Sequence, residues 1–247
     1  MLTKPYLRTL RPETTGVFSM DYVKDLRFAK DALHLIRSFK LLQADLVELF
    51  DFIEPADSNL ATYSFRLHSL LARACMEAEA NCKAILREHG YMKAGGGDWN
   101  MQDYRKIEAT HRLSEFEVLF PIWTGSQNAR KPFSAWSGTQ SLSWYRAYND
   151  SKHDRHKEFS NASLENAIDA VTGVLVLLSA QFGTEDFMPS PGMYAITLGS
   201  GPRSDGAGLA IGDYFSVRFP EWPTAERYDF DWSNLKLQDD PFERFTY

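Results

Sequence analysis

Residues 144–157 read WYRAYNDSKHDRHK, a stretch that gathers cations, imidazoles, a carboxamide and aromatic rings into a few helical turns. Arg146 and His153 are seven residues apart. On an α-helix, seven steps of about 100° return to within about 20° of the starting face, and Asn149 lies between the two on that face. His156 extends the same stripe if the helix persists. Such side chains suit attack on a phosphodiester, because a histidine exchanges protons near neutral pH and a guanidinium holds phosphoryl oxygens as negative charge builds. Arg146 and His153 are therefore the candidate catalytic pair, with Asn149 orienting the imidazole. Lys152, Arg155, His156 and Tyr148 are the candidate binding residues beside them. The same residues would also coat the outer face of an ordinary amphipathic helix, and spacing leaves both readings open.

Other chemistry finds less support. His153, Asp154 and His156 have no further ligands spaced to complete a zinc site, so no metal is expected. The glycine-rich run 199–208 lacks the Lys-Ser/Thr of a phosphate-binding loop and the spacing of a dinucleotide fingerprint, so no cofactor is expected and the run reads as a loop. No serine occupies a Gly-x-Ser-x-Gly elbow. His34, His68, His89 and His111 are scattered. The pairs Arg27/His34 and Arg105/His111 are set aside, the first as part of a solvated face and the second because six helical steps separate the two directions. Trp136, Trp144, Tyr145 and Tyr148 can stack on unpaired bases or fill a helical core.

The elements that position these groups are mostly helical. Leu26, Ala29, Leu33, Ile36, Phe39, Leu42, Leu46, Leu49 and Ile53 recur at three- and four-residue steps and predict a helix over 21–54, ended by Pro55. A second helix carries Leu67, Leu71, Ala74, Ala78, Cys82 and Ile85 and stops at Gly90, pairing antiparallel with the first. A shorter helix is expected over 100–113, an extended segment over 115–121 and a helix over 140–157. The clearest helix places Leu164, Ile168, Val171, Leu175, Leu178 and Phe182 on one stripe, with Gly183 as its stop. Two strand-like runs follow, at 214–219 and 228–232. The expected fold is mainly α, an up-and-down bundle of about five helices over residues 1–183, with a small irregular or β appendage over 184–247.

Hydrophobic residues at 44% and aromatics at 14% suit a folded chain with a sizeable core. The net charge of −6 argues against a surface uniformly positive for gripping duplexes. From Gly183 onward eleven Asp and Glu face five Lys and Arg, so residues 1–182 are neutral overall and the acidity lies in the appendage. Cys75 and Cys82 point the same way on one helix and read as reduced core residues. No run approaches the length of uninterrupted apolar residues that a membrane span needs, and the first residues lack the apolar core of a signal peptide. A cytoplasmic protein without a membrane partner is expected.

The arrangement of Arg146, six intervening residues and His153 before a long apolar helix resembles the HEPN superfamily, over roughly residues 20–183. The resemblance implies a helical bundle carrying a metal-independent endoribonuclease site, often within toxin–antitoxin, defence or RNA-processing systems. It implies that His153 moves a proton and Arg146 stabilises a phosphorane-like transition state, with the RNA supplying its own 2′-hydroxyl. It also implies a homodimer with a composite cleft cleaving single-stranded or loop RNA. Other members are catalytically inactive modules that bind nucleotide, RNA or a protein partner.

Overall fold

The strongest apolar periodicity in the chain becomes the element around which the others are arranged. The computed structural model describes residues 1–187 and 207–247. Its helices in chain order are α1 (Ala32–Leu49), α2 (Phe65–Glu88), α3 (Met101–Tyr104), α4 (Glu108–His111), α5 (Ser143–His153), α6 (Arg155–Glu158), α7 (Leu164–Phe182) and α8 (Trp232–Leu235). The protein is mainly helical. Ser163 opens α7 by accepting from the backbone N–H of Asn166, and Gly183, at φ +63°, closes it. α7 packs against α1, α2 and α5, most extensively against α2, and every residue from 170 to 182 is buried. By length and composition α7 could cross a membrane, yet 83% of its apolar window lies inside the protein.

The second expected helix is observed as α2. Ser64 caps it through the N–H of Leu67, all six residues of its expected stripe are buried, and the chain leaves it through Gly90 at φ +72°. Cys75 and Cys82 are free thiols inside this interface, and burial pushes both well above the usual thiol pKa.

The first helix is shorter than its periodicity predicts. Residues 21–31 form turns, and Leu26 and Leu33 of the expected stripe are 83% and 54% exposed. The reason is tertiary. Tyr22 is buried edge-on against Phe28, Tyr228 and Phe230, and Arg27 is clamped to Asp25, so long-range aromatic packing overrides helix propensity in this stretch. The helix expected over 100–113 is likewise divided into α3, a 3₁₀ turn Arg105–Ile107 and α4, which stops where Arg112 turns left-handed at φ +49°. The helix expected over 140–157 breaks at Asp154 into α5 and α6.

Four short strands complete the fold. β1 (Glu117–Leu119), β2 (Ala129–Arg130), β3 (Gly208–Leu209) and β4 (Ser216–Arg218) form an antiparallel sheet in the order β2-β1-β4-β3. The run 214–219 thus contains a strand, whereas 228–232 leads into α8 and pairs only at Tyr228, which bridges to Leu2 and Glu13. The loop expected over 199–208 falls mostly outside the described residues. Ala210, Ile211, Phe215, Val217, Tyr228 and Phe242 belong to the same hydrophobic core as the helices, so the sheet and the wrapping segment are packed onto the bundle.

Where the first residues meet the end of α2, two histidines are buried. His111 Nε2 lies 2.8 Å from the Arg8 carbonyl and His89 Nε2 lies 2.9 Å from that of Leu7, while His89 Nδ1 accepts from the N–H of Phe245. Burial lowers their pKa values from 6.5 to about 3 for His111 and about 4 for His89. Both are neutral when folded, so the unfolded chain binds more protons below pH 6.5, and stability falls as pH drops from 6.5 toward those values. Urea unfolding midpoints should fall between pH 6.5 and 5, above the main carboxylate range. A His111→Asn variant should show a shallower fall across that window, and an identical slope would remove this histidine as a cause.

Candidate functional site

α5 is held by its inner face. Trp144, Ala147, Tyr148 and Ser151 are buried there. The Trp144 indole N–H donates to the Pro132 carbonyl at 2.8 Å, and its six-membered ring lies against Gly173 of α7, where an added Cβ would approach to 3.3 Å. A side chain at 173 would require the indole to give by a few tenths of an ångström, so the glycine accommodates the close contact between α5 and α7. The Tyr145 hydroxyl donates to Glu79 of α2 at 2.8 Å, and burial together with this bond raises its pKa.

With those residues turned inward, the cations face out. Arg146, Lys152, His153, Arg155 and His156 are exposed, and Asn149 is half-buried between the first two. Among the described residues none of the five makes an ion pair or a side-chain hydrogen bond. Of the carboxylates on this segment, Asp154 pairs with Lys157 at 3.6 Å and Glu158 accepts from Asn161 at 2.8 Å. Instead, the Lys152 ammonium lies 5.4 Å from the Tyr148 ring centroid and the Arg155 guanidinium 5.9 Å from that of Phe65.

Two cavities flank this helix. The larger, about 580 Å³, is lined by Arg146 and Asn149 together with Arg105, Trp136 and Tyr145. The smaller, about 460 Å³, is lined by Tyr148, Lys152, His153, Arg155 and His156 together with His68 of α2. The expected residues are therefore divided. The binding set and His153 share one cavity, while Arg146 and Asn149 open onto the other. His156 lines the same cavity as His153 although the helix between them is broken at Asp154. Among the described residues, neither cavity has a carboxylate in its lining. A third hollow, lined by Arg66 and Arg73, shows the contrast: there the two arginines are paired with Glu48 and Asp45.

Two contributors were not singled out from sequence. His68, half-buried, stands with Ala72 on the outward side of α2, its ring 5.9 Å from Phe159, and adds a third imidazole to the smaller cavity. Its spacing from Ala72, one helical turn, is the signal that could have placed it on a shared face with other α2 residues. The Arg105/His111 pair is separated in the structure, His111 being buried against the Arg8 carbonyl while Arg105, in the 3₁₀ turn, lines the larger cavity. Among the described residues no group of three His, Cys, Asp or Glu is placed to hold a metal ion.

The chemistry available to this face is electrostatic and acid–base: unpaired cations over aromatic rings can hold a polyanion, and clustered imidazoles can exchange protons. Comparison of the chain with protein-family models, with curated proteins and with solved structures finds no match.

The anchoring of α5 is directly testable. Trp144→Ala should destabilise the protein by ~3–5 kcal/mol in urea unfolding, the usual scale for deleting a fully buried aromatic. Trp144→Phe, which keeps much of the volume but loses the bond to Pro132, should cost less. Equal losses for the two would mean that the ring's volume against Gly173 is not what holds the helix.

Proposed function

We propose that the chain is a metal-independent endoribonuclease of HEPN type acting on single-stranded or loop RNA, with α1, α2, α5 and α7 as the core of its up-and-down bundle. One observation carries the reading: α5 and α6 present five cationic or imidazole side chains outward that form no ion pair among the described residues, although Asp150, Asp154 and Glu158 stand on the same segment, and the two cavities beside them have no carboxylate among their described lining residues. A surface of that kind attracts phosphates and does not neutralise itself.

In this reading the 2′-hydroxyl of the RNA loses its proton to an imidazole as its oxygen attacks phosphorus. The bond from phosphorus to the 5′-oxygen breaks, and the leaving oxygen takes a proton from a second acid. The products are a 2′,3′-cyclic phosphate and a 5′-hydroxyl. His153 is one proton-transfer group, and His68 or His156, on the same cavity, is the other. Arg146 stabilises the charge that builds on the phosphoryl oxygens, and Asn149 supports it. Seven helical residues set Arg146 and His153 about 10 Å apart along the axis. The homodimer resolves that separation by setting the His153 of one protomer opposite the Arg146 of its partner.

A second reading has its own support. Because Arg146 and His153 open onto different cavities of one chain, the face can also serve a catalytically inactive module that holds RNA, a nucleotide or a protein partner.

Incubation with unstructured RNA in the presence of EDTA separates the two. The nuclease reading expects wild-type protein to yield fragments with cyclic phosphate ends. His153→Ala should lower the rate at least a hundredfold and His68→Ala measurably, in line with the usual contribution of positioned proton transfer. RNA retained in a binding assay but left uncut by wild type selects the inactive module. In either reading, Lys152→Gln with Arg155→Gln should weaken RNA binding and make the dependence of log K on log salt shallower by about one to two, since fewer counterions are released. An unchanged slope would remove these residues from the RNA path.

A further inference from the structure

The larger cavity has a composition that the cleavage chemistry does not require. Arg105 comes from the 3₁₀ turn between α3 and α4, and Arg146 comes from α5. Both arginines line one hollow, and neither has an ion pair or a side-chain hydrogen bond among the described residues. The carboxylate closest in sequence to Arg105 is committed elsewhere. Asp103 accepts from the Tyr91 hydroxyl at 2.7 Å and from the Asn100 N–H at 2.9 Å, and it pairs with Lys93 at 3.1 Å. Asp150, one helical turn beyond Arg146, does not line the cavity, and no carboxylate does among the described residues, so an anion seated beside the two arginines gains from both charges. The guanidinium fork matches the geometry of phosphate oxygens.

The remaining walls are neutral and suit an aromatic ring with polar edges. Trp136, only 4% exposed, and the half-buried Tyr145 form an apolar floor. Gln102 and Gln140, both exposed, carry carboxamides without side-chain partners among the described residues. A carboxamide offers a donor and an acceptor side by side, the pattern that pairs with the edge of a nucleobase. At about 580 Å³ the hollow lies within the ~300–1,000 Å³ of small-molecule sites.

We infer that this cavity is a nucleotide subsite, in which Arg105 and Arg146 hold a phosphate while Trp136, Tyr145, Gln102 and Gln140 receive the attached base. The inference deepens the RNA reading: the site seats one unpaired nucleotide of the strand whose scissile linkage lies at the His153 cavity, and it gives the protein a base preference there. Single-stranded RNA is commonly recognised in this way, through unstacked bases taken against aromatic side chains.

The test is binding of mononucleotides, which does not depend on cleavage. Calorimetric titration of the full chain with the four nucleoside 5′-monophosphates, inorganic phosphate and the uncharged nucleosides should show at least one monophosphate binding tenfold or more tightly than phosphate or its own nucleoside. Arg105→Gln should weaken that binding at least tenfold. Gln140→Glu, an exposed substitution that places a negative charge at the mouth, should do the same and guards against a folding defect in the first variant. Arg73→Gln, which removes the same charge from the ion-paired hollow, should bind as wild type.

Phosphate binding as tightly as every nucleotide would overturn the subsite, as would no binding at all or binding indifferent to both cavity variants. Cleavage of RNA without mononucleotide binding rejects the subsite and keeps the nuclease. Mononucleotide binding without cleavage keeps the subsite and rejects the nuclease.

Discussion

The contact between Trp144 and Gly173 is the constraint on which the candidate site depends. An indole fills the space between α5 and α7 where any side chain at 173 would crowd it, and the same ring is fixed at its other edge by the Pro132 carbonyl. With Trp144, Ala147 and Tyr148 committed to the core, helical geometry leaves Arg146, Asn149, Lys152 and His153 on the outward half of α5. The polar face is thus a consequence of apolar packing. It also explains why α7 can be so apolar: α1, α2 and α5 cover it, and of its buried polar side chains Thr172 donates to the Ile168 carbonyl and Gln181 to Asn81, while the Ser179 hydroxyl has no partner among the described residues.

Charge is distributed differently inside and outside that face. Elsewhere many arginines are neutralised locally: Arg8 by Asp31 and Glu88, Arg130 by Asp169 and Glu165, Arg112 by Glu115 and Glu226. Arg130 ties β2 to α7, and Arg8 ties the first residues to α2, so these pairs hold elements together. Arg146 and Lys152 of α5 and Arg155 of α6 tie nothing together. Leaving them unpaired costs little stability because they are solvated, and it preserves a field that a polyanion can neutralise. The acidity of the whole chain does not oppose this, since the carboxylates line neither cavity.

The sheet and the segment over 207–247 bear on the site indirectly. β4 lies between β1 and β3, and the Tyr228 hydroxyl donates to the Thr9 carbonyl and accepts from the Tyr6 N–H, so residues distant in sequence are tied together. Asp57 performs a similar local task. It accepts from the Trp123 indole and from the N–H groups of Ser126 and Gln127, which hold its carboxyl down at about pKa 2 and fix the loop leading into β2. That loop continues to Pro132 and Phe133, the residues that receive Trp144.

The amino-acid sequence by itself determined α2, α7 and the outward stripe of α5, because their apolar periodicities report which side of a helix meets the core and need no knowledge of the partner. It did not determine the ends of α1, where Tyr22 and Phe28 turn away to pack with aromatic residues two hundred positions later, nor the break at Asp154. Only the tertiary structure decided that Arg146 shares a cavity with Arg105 while His153 shares another with His68 and His156. Periodicity fixes the direction of a side chain on its own helix, but the contents of a cavity depend on which helices are packed side by side. That is set by complementary shape, such as an indole against a glycine, between segments far apart in the chain.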